Sequence, residues 1–260
     1  MRQKIKPTLR NILENLEVHS PKLILSVIEH LISRPKLSYS FYGEDLVIQG
    51  LLSRFEFENG FKLSLSYIDI GAWRPIQGSN TYNLYRAGAC GTAVEPNPHF
   101  ERMWKTVRPR DSFLPVGCSN MKTQSLKIFH RSAASNTLSE SFAKKITTGQ
   151  NLGVNTVIEV RCMTLEEIIQ KHLESNRNAF LLDIDIEGMD EEIITTFNFP
   201  QHLRPTLILI EDPLREGRTT QNSEIAKHLT LHDYILVGRT ALTSIFVDSL
   251  STLGKIHSFI

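Results

Sequence analysis

"YIDIGAWRPIQGSNTYNLYRAGACGTAVEPNP", Tyr67 to Pro98, holds two apolar runs that each close on an acid. The first, "SYIDI" at 66–70, carries Asp69 and turns at Gly71; the second, "GTAVE" at 91–95, ends on Glu95 and is stopped by Pro96. Short apolar runs bounded by Gly and Pro read as buried strands. In a doubly wound sheet the ligand lies at the carboxyl ends of such strands. A carboxylate there presents two acceptor oxygens, which suits the hydroxyl pair of a ribose. A dinucleotide also needs G-x-G-x-x-G, so that its pyrophosphate can approach a helix N-terminus. Here Gly71 is followed by Ala72, Trp73, Arg74 and Pro75, and the bulky indole and the proline do not suit that approach.

The stretch therefore predicts a nucleoside ligand with no phosphate. S-adenosylmethionine is one. Asp69 and the Gly71 backbone can receive its ammonium, Glu95 its ribose, and Ser79, Asn80 and Thr81 its carboxylate. Ser79 to Thr81 also suit a plain helix cap.

Outward from this core the pattern continues. "SFLPV" (112–116), "AFLLDID" (179–185) and "TLILIE" (206–211) read as further strands. Residues 79–86, 98–107, 164–173 and 189–196 read as helices between them, which predicts a parallel sheet covered on both faces. "LKIFH" (126–130) and "TVIEVR" (156–161) form a strand pair around 131–155, a segment rich in Ser, Thr, Asn and Lys that reads as a long loop or lid. After a helix at 222–230, "DYILVG" (233–238) and "SIFVD" (244–248) make a hairpin. A mostly parallel, Rossmann-like sheet with an antiparallel C-terminal strand is the α/β architecture of class I methyltransferases. Residues 7–33 show apolar positions at three- and four-residue steps, and 43–54 repeat them. The reading is a helical N-terminal extension over 1–42, able to mediate homo-oligomerisation, and a methyltransferase domain over 43–260.

Bulk properties narrow the class. The chain has 260 residues, with 29 basic and 28 acidic ones, so its balance gives no electrostatic case for nucleic acid. No apolar stretch reaches the roughly 18 residues that span a bilayer. The N-terminal stretch is basic but broken by Asn11, Glu14, Asn15 and Glu17, and does not read as a signal peptide. Cys90, Cys118 and Cys162 lie far apart, which predicts free thiols and a reducing, cytoplasmic setting.

Several pieces together resemble the FkbM family of S-adenosylmethionine-dependent methyltransferases. They are "IDIGAWRP…SNTYNLYRAGACGTAVEPNP", "SYSFYGEDLVI" (38–48), "LLDIDIEGMDEEII" (181–194) and "LRPTLILIE" (203–211). Phe41 stands where the family commonly has glutamine, and Asp190 or Glu191 takes the place of the last acid in D-x-E-G-x-E. The resemblance covers about 38–248. It implies cofactor contacts at Asp69, Gly71, Asn80, Glu95 and Pro96, an adenine contact at Ser119, and closure over the cofactor by Glu44 and Asp45. It also implies a sugar or glycan acceptor. A polyketide or phenolic acceptor, and a binding module of the same fold without turnover, are the alternatives.

The acceptor side rests on acids. A strand period of two places Asp183, Asp185 and Glu187 on one side, and Glu211 and Asp212 end the neighbouring strand. Such a cluster needs a cation or shared protons. One use is a divalent site, Mg2+ or another hard cation, at Asp183, Asp185, Glu211 and Asp212, resembling metal-dependent O-methyltransferases of sugars and phenols. The other is metal-free base catalysis by Asp185 or Glu187, or by His130. His130 and Arg131 can line the acceptor pocket. Trp73 can wall that pocket or pack beneath the loop. Single acids of the cluster can instead cap helices or pair with Arg204 or Arg215.

Overall fold

The computed structural model describes residues 36–130, 133–150, 152–176, 179–213 and 222–257. The chain divides between Leu37 and Ser38, and the unit from Ser38 onward carries the sheet and its covering helices. The helices expected over 7–33, Arg131 and Arg215 lie outside the described residues.

Seven strands build the main sheet: β1 (Ser66–Ile70), β2 (Gly91–Val94), β3 (Ser112–Leu114), β7 (Phe180–Ile184), β8 (Leu207–Glu211), β9 (Tyr234–Arg239) and β10 (Thr243–Asp248). Their order across it is β3-β2-β1-β7-β8-β10-β9. β10 runs antiparallel to both of its neighbours, β8 and β9. The remaining pairs are parallel. All five residues of β1 and of β7 are buried, as expected for strands covered on both faces.

Alternation along the strands sorts the core. Ile68, Ile70, Leu182, Ile184, Ile208 and Ile210 join one apolar cluster. It includes Ile168 and Ile169 of α5 (Leu165–Leu173), Ile193 and Ile194 of α6 (Asp190–Thr195) and Leu229 of α7 (Glu224–Leu231). Tyr67, Leu181, Leu207 and Leu209 join a second cluster. That one holds Ile48 and Phe55 of α1 (Glu44–Asn59) and Leu84 and Tyr85 of α2 (Tyr82–Arg86). By the same period, Asp69, Asp183 and Glu211 fall on the α1–α2 face. α5 begins with a reciprocal cap: Thr164 Oγ1 accepts from Glu167 N at 3.2 Å while Glu167 Oε2 accepts from Thr164 N at 2.8 Å.

The expected strands and most helices are present, and the hairpin forms as read. Two expectations change. The run 112–116 divides from the residues after it: β3 stays in the main sheet, while Gly117–Cys118 forms β4 of a second sheet. Its other strands are β5 (Thr123–Ile128) and β6 (Thr156–Met163), with β6 in the middle. The segment 131–155 is not a plain loop, because Glu140–Gln150 forms a helix, α4. Its inner residues Phe142, Ala143 and Ile146 pack with Phe129 at the end of β5, and that burial offsets the modest helix propensity of its Ser and Thr residues. The remaining helix of the main unit's first half is α3 (Glu101–Val107), and α8 (Gly254–His257) follows β10.

Candidate functional site

The carboxyl ends of β1, β2 and β7 converge at Gly71. Its N–H donates to Val94 O at 2.9 Å, and Asp185 N donates to Ile70 O at 3.0 Å. Gly71 has φ +83°, and a Cβ placed there would stand 1.8 Å from the Asp185 carbonyl oxygen. Only glycine fits both the left-handed turn and the approach.

Around this point lie two small cavities of about 40 Å³ each. Gly71, Ala134, Asp185 and Glu187 border both. One also takes in Asp69, Trp73, Ser79, Asn80 and Asp183; the other takes in Glu95, Pro96, Gly117 and Cys118. Asp183, Asp185 and Glu187 thus border the same cavity, Asp183 from within β7 and the other two from the turn after it.

Asp69 and Asp183 are register partners on β1 and β7, and both are buried. Asp69 Oδ2 accepts from Thr81 Oγ1 at 2.6 Å, and Asp183 Oδ1 from Asn80 Nδ2 at 3.2 Å. Burial, followed by the charge of Asp69, pushes the Asp183 carboxyl well above its usual range. Burial also raises Asp69, opposed by the nearby Arg108 guanidinium. Two buried carboxyls side by side suit a cationic ligand group.

Glu95 is fixed by two backbone donors: Oε2 accepts from Trp73 N at 3.0 Å and Oε1 from Asn97 N at 2.7 Å. Burial still lifts its carboxyl to about 7. Each oxygen keeps a second lone pair with which to receive a hydroxyl. Trp73 adopts φ +42°, which an L-residue with a bulky side chain rarely holds. Its ring stacks on Phe41 at 5.9 Å and walls the cleft. Glu187, at φ +53°, is the other non-glycine residue of the cleft with positive φ. Strained residues of this kind gather at ligand sites.

A third cavity, of about 670 Å³, opens beyond the acids. Gly188, Asp190, Glu211 and Asp212 form one side, Phe142 and Lys145 of α4 another. Ligand oxygens of Asp185, Asp190 and Glu211 lie within 4.8 Å of one another. Asp190 also ties its own turn, accepting from Ile186 N at 2.9 Å and Gly188 N at 3.1 Å. Water reaches Asp185 from the cleft, but protein crowds it elsewhere. Burial and then Glu211 push its carboxyl well above the usual range. The same causes raise Glu187 to about 8. Burial raises Glu211 to about 7 and Asp190 to about 6; Lys145 draws Glu211 down.

The remaining expected residues sit elsewhere or are engaged. Asp183 belongs to the Asp69 pair, outside the three-acid group. Asp212 accepts from Ser223 Oγ at 3.0 Å and Ser244 Oγ at 3.1 Å, and lies 3.6 Å from Arg239, so it knits the β8 exit to α7 and β10. Ser119 Oγ accepts from Met121 N and from Gln124 Nε2 at the end of β4, and borders neither small cavity. Glu44 accepts from Thr240 Oγ1 at 2.6 Å and ties α1 to the hairpin. Asp45 gathers Ser38, Tyr39 N, Ser40 and Asn83. His130 is exposed after β5 and borders none of the three cavities. Arg204 pairs with Asp248 rather than with the cluster. Lys145 and Arg108 were not among the expected site residues, and Asp190 was expected only as one of two candidates for the last acid of D-x-E-G-x-E.

The family model described as "Methyltransferase FkbM domain" matches residues 69–236, well over half of the chain. No curated protein matches it.

Proposed function

The chain belongs to the FkbM methyltransferase family, and on that premise we propose that it methylates oxygen, moving a methyl group from S-adenosylmethionine to a hydroxyl of a sugar or glycosylated metabolite. The observation that carries this reading is a continuous row of acids. Asp69 and Asp183 line one small cavity with Asp185, and Asp185 lies within 4.8 Å of Asp190 and Glu211, which face the large cavity. One end of the row suits a cationic donor and the other a polyol.

In this reading Asp69 and Asp183 face the ammonium, Ser79 and Asn80 the carboxylate, and Glu95 with Pro96 the ribose. The 670 Å³ cavity takes the acceptor, with Phe142 giving an apolar face to a sugar ring. The acceptor oxygen bonds the methyl carbon, the carbon–sulfur bond breaks with its electron pair left on sulfur, and the hydroxyl proton passes to a carboxylate. Glu187 suits that last role in its ionised form, because a carboxylate whose conjugate acid has a pKa of about 8 is a stronger base than an ordinary one, and that form gains population as pH rises toward 8. Asp185 is its neighbour and partner.

The three-acid group fits a hard divalent cation, since all of its donors are carboxylate oxygens. Asp185, Asp190 and Glu211 would hold it. Such an ion would lower the pKa of a bound hydroxyl and orient it.

Calorimetric titration with S-adenosylhomocysteine and with NAD tests the donor site. Mass spectrometry after incubation with S-adenosylmethionine and a panel of glycosides and phenols tests the transfer. Binding of the sulfur ligand and a gain of one methyl on a glycoside are expected. Binding of NAD alone would overturn the reading.

A further inference from the structure

Arg108 follows α3 and is 1% exposed, among the largest fully buried side chains. A guanidinium cannot shed its charge, so burial demands partners. Its Nε donates to Asp111 Oδ2 at 2.7 Å. Its carbon centre lies 4.4 Å from the Trp104 ring and 5.1 Å from the rings of Tyr67 and Tyr85. This carboxylate and cage already compensate the charge.

The other edge of the fork turns to the cleft wall. One terminal nitrogen donates to Pro75 O at 3.3 Å and Ser79 Oγ at 3.2 Å. The other donates to Thr81 Oγ1 at 3.1 Å. Thr81 in turn donates to Asp69 Oδ2 at 2.6 Å. One side chain therefore grips the segment 75–81 at three points and reaches Asp69 through a single hydroxyl. A rigid planar fork can hold such points together; a flexible ammonium cannot.

We propose that Arg108, acting through Thr81, is a positioning residue that aims Asp69 into the cleft and fixes Ser79 on its wall. This rests on the cofactor reading above. Asp69 lines the small cavity next to Asp183, and without the Thr81 donor nothing in this network holds its carboxylate toward the ligand. Tyr67, whose hydroxyl donates to Asp111 at 2.7 Å, lies on the far side of the guanidinium. It supports the cage and borders neither small cavity.

The test compares two nearly isosteric changes. Thr81→Val should raise the Kd for S-adenosylhomocysteine about tenfold, the loss of one charge-assisted hydrogen bond. Thr81→Ser, which restores the hydroxyl, should recover the wild-type Kd. Tyr67→Phe should lower the Tm but leave the Kd within about twofold. Should Thr81→Val not fold, Arg108→Lys reads the same point and should also raise the Kd about tenfold. A wild type that binds the ligand while the variants bind equally well overturns this inference alone. Equal weakening by Thr81→Val and Tyr67→Phe makes the network merely structural and also overturns it. A wild type that binds no S-adenosylhomocysteine overturns the cofactor reading and this inference with it.

Discussion

Asp69 and Asp183 face each other in register across the two central strands, on the same side of the sheet and both beneath the surface. Neither has a cationic side chain within ion-pairing distance among the described residues. Burial of the Asp183 carboxyl, and after it the charge of Asp69, therefore works against its ionised form in the fold until a cation arrives. Asp183→Asn should stabilise the protein in the absence of ligand, by about 1 kcal/mol at neutral pH. The folded-state pKa lies above the ordinary 3.8, so the native carboxyl keeps a proton that the unfolded chain has lost. Its contribution is present at low pH and lost as pH rises, so the gain from asparagine should grow with pH above that value. Urea melts at several pH values measure it, and S-adenosylhomocysteine should bind more weakly to the variant.

His172 gives the opposite pH dependence. It is 1% exposed, with Nε2 bonded to Ser66 Oγ at 2.9 Å and Nδ1 to Thr92 Oγ1 at 3.0 Å. Burial lowers its pKa from 6.5 to about 4. The unfolded chain takes up a proton before the native one does, so stability is full above 6.5 and is lost as pH falls toward 4. His172→Gln should flatten the Tm profile across that interval, judged against the wild-type slope.

The three-acid group and Asp212 separate a binding role from a structural one. Added Mg2+ or Mn2+ should raise the wild-type Tm, by mass action on the folded state. Glu211→Gln should abolish that rise with little loss of stability, since it removes a raised carboxyl. Asp212→Asn should lower the starting Tm, because it disturbs the Ser223, Ser244 and Arg239 contacts, while the metal-dependent rise persists. Differential scanning calorimetry with and without EDTA reads both.

Gly71→Ala should be among the most damaging single changes. The methyl would fall 1.8 Å from the Asp185 carbonyl oxygen, a backbone atom, in a left-handed turn. A loss of about 3 kcal/mol or more is expected, measured by chemical denaturation.

The central strands were legible because continuous apolar runs such as "FLLDI" and "LILIE" have few other uses. Asp183, Asp185 and Glu187 border one cavity, but β7 ends at Ile184, so simple alternation accounts for Asp183 alone. Past the strand, Glu187 and Gly188 both take positive φ, the chain turns back, and Asp190 rather than Asp183 joins Asp185 and Glu211. α4 was unreadable because few of its residues face inward, with Ala143 and Ile146 its buried ones, too short a stripe to show a helical period. Arg108 was unreadable for another reason. A charged residue in a sequence implies solvent, and only the fold brings Tyr67 and Tyr85 around it. Its spacings of three from Asp111 and of four from Trp104 were the available hints.

The place of β10 has a consequence for how the chain matures. β9 leaves the ribosome before β10 yet hydrogen-bonds to the sheet only through it. β9 therefore joins the sheet only once β10 has been made, whether the hairpin docks whole or β10 adds to β8 first. Until β10 docks, β8 presents a naked edge of Leu207, Ile208, Leu209 and Ile210, the kind of template on which nascent chains pair wrongly and aggregate. A product stopped short of Thr243 would be expected in the insoluble fraction, however intact its first strands.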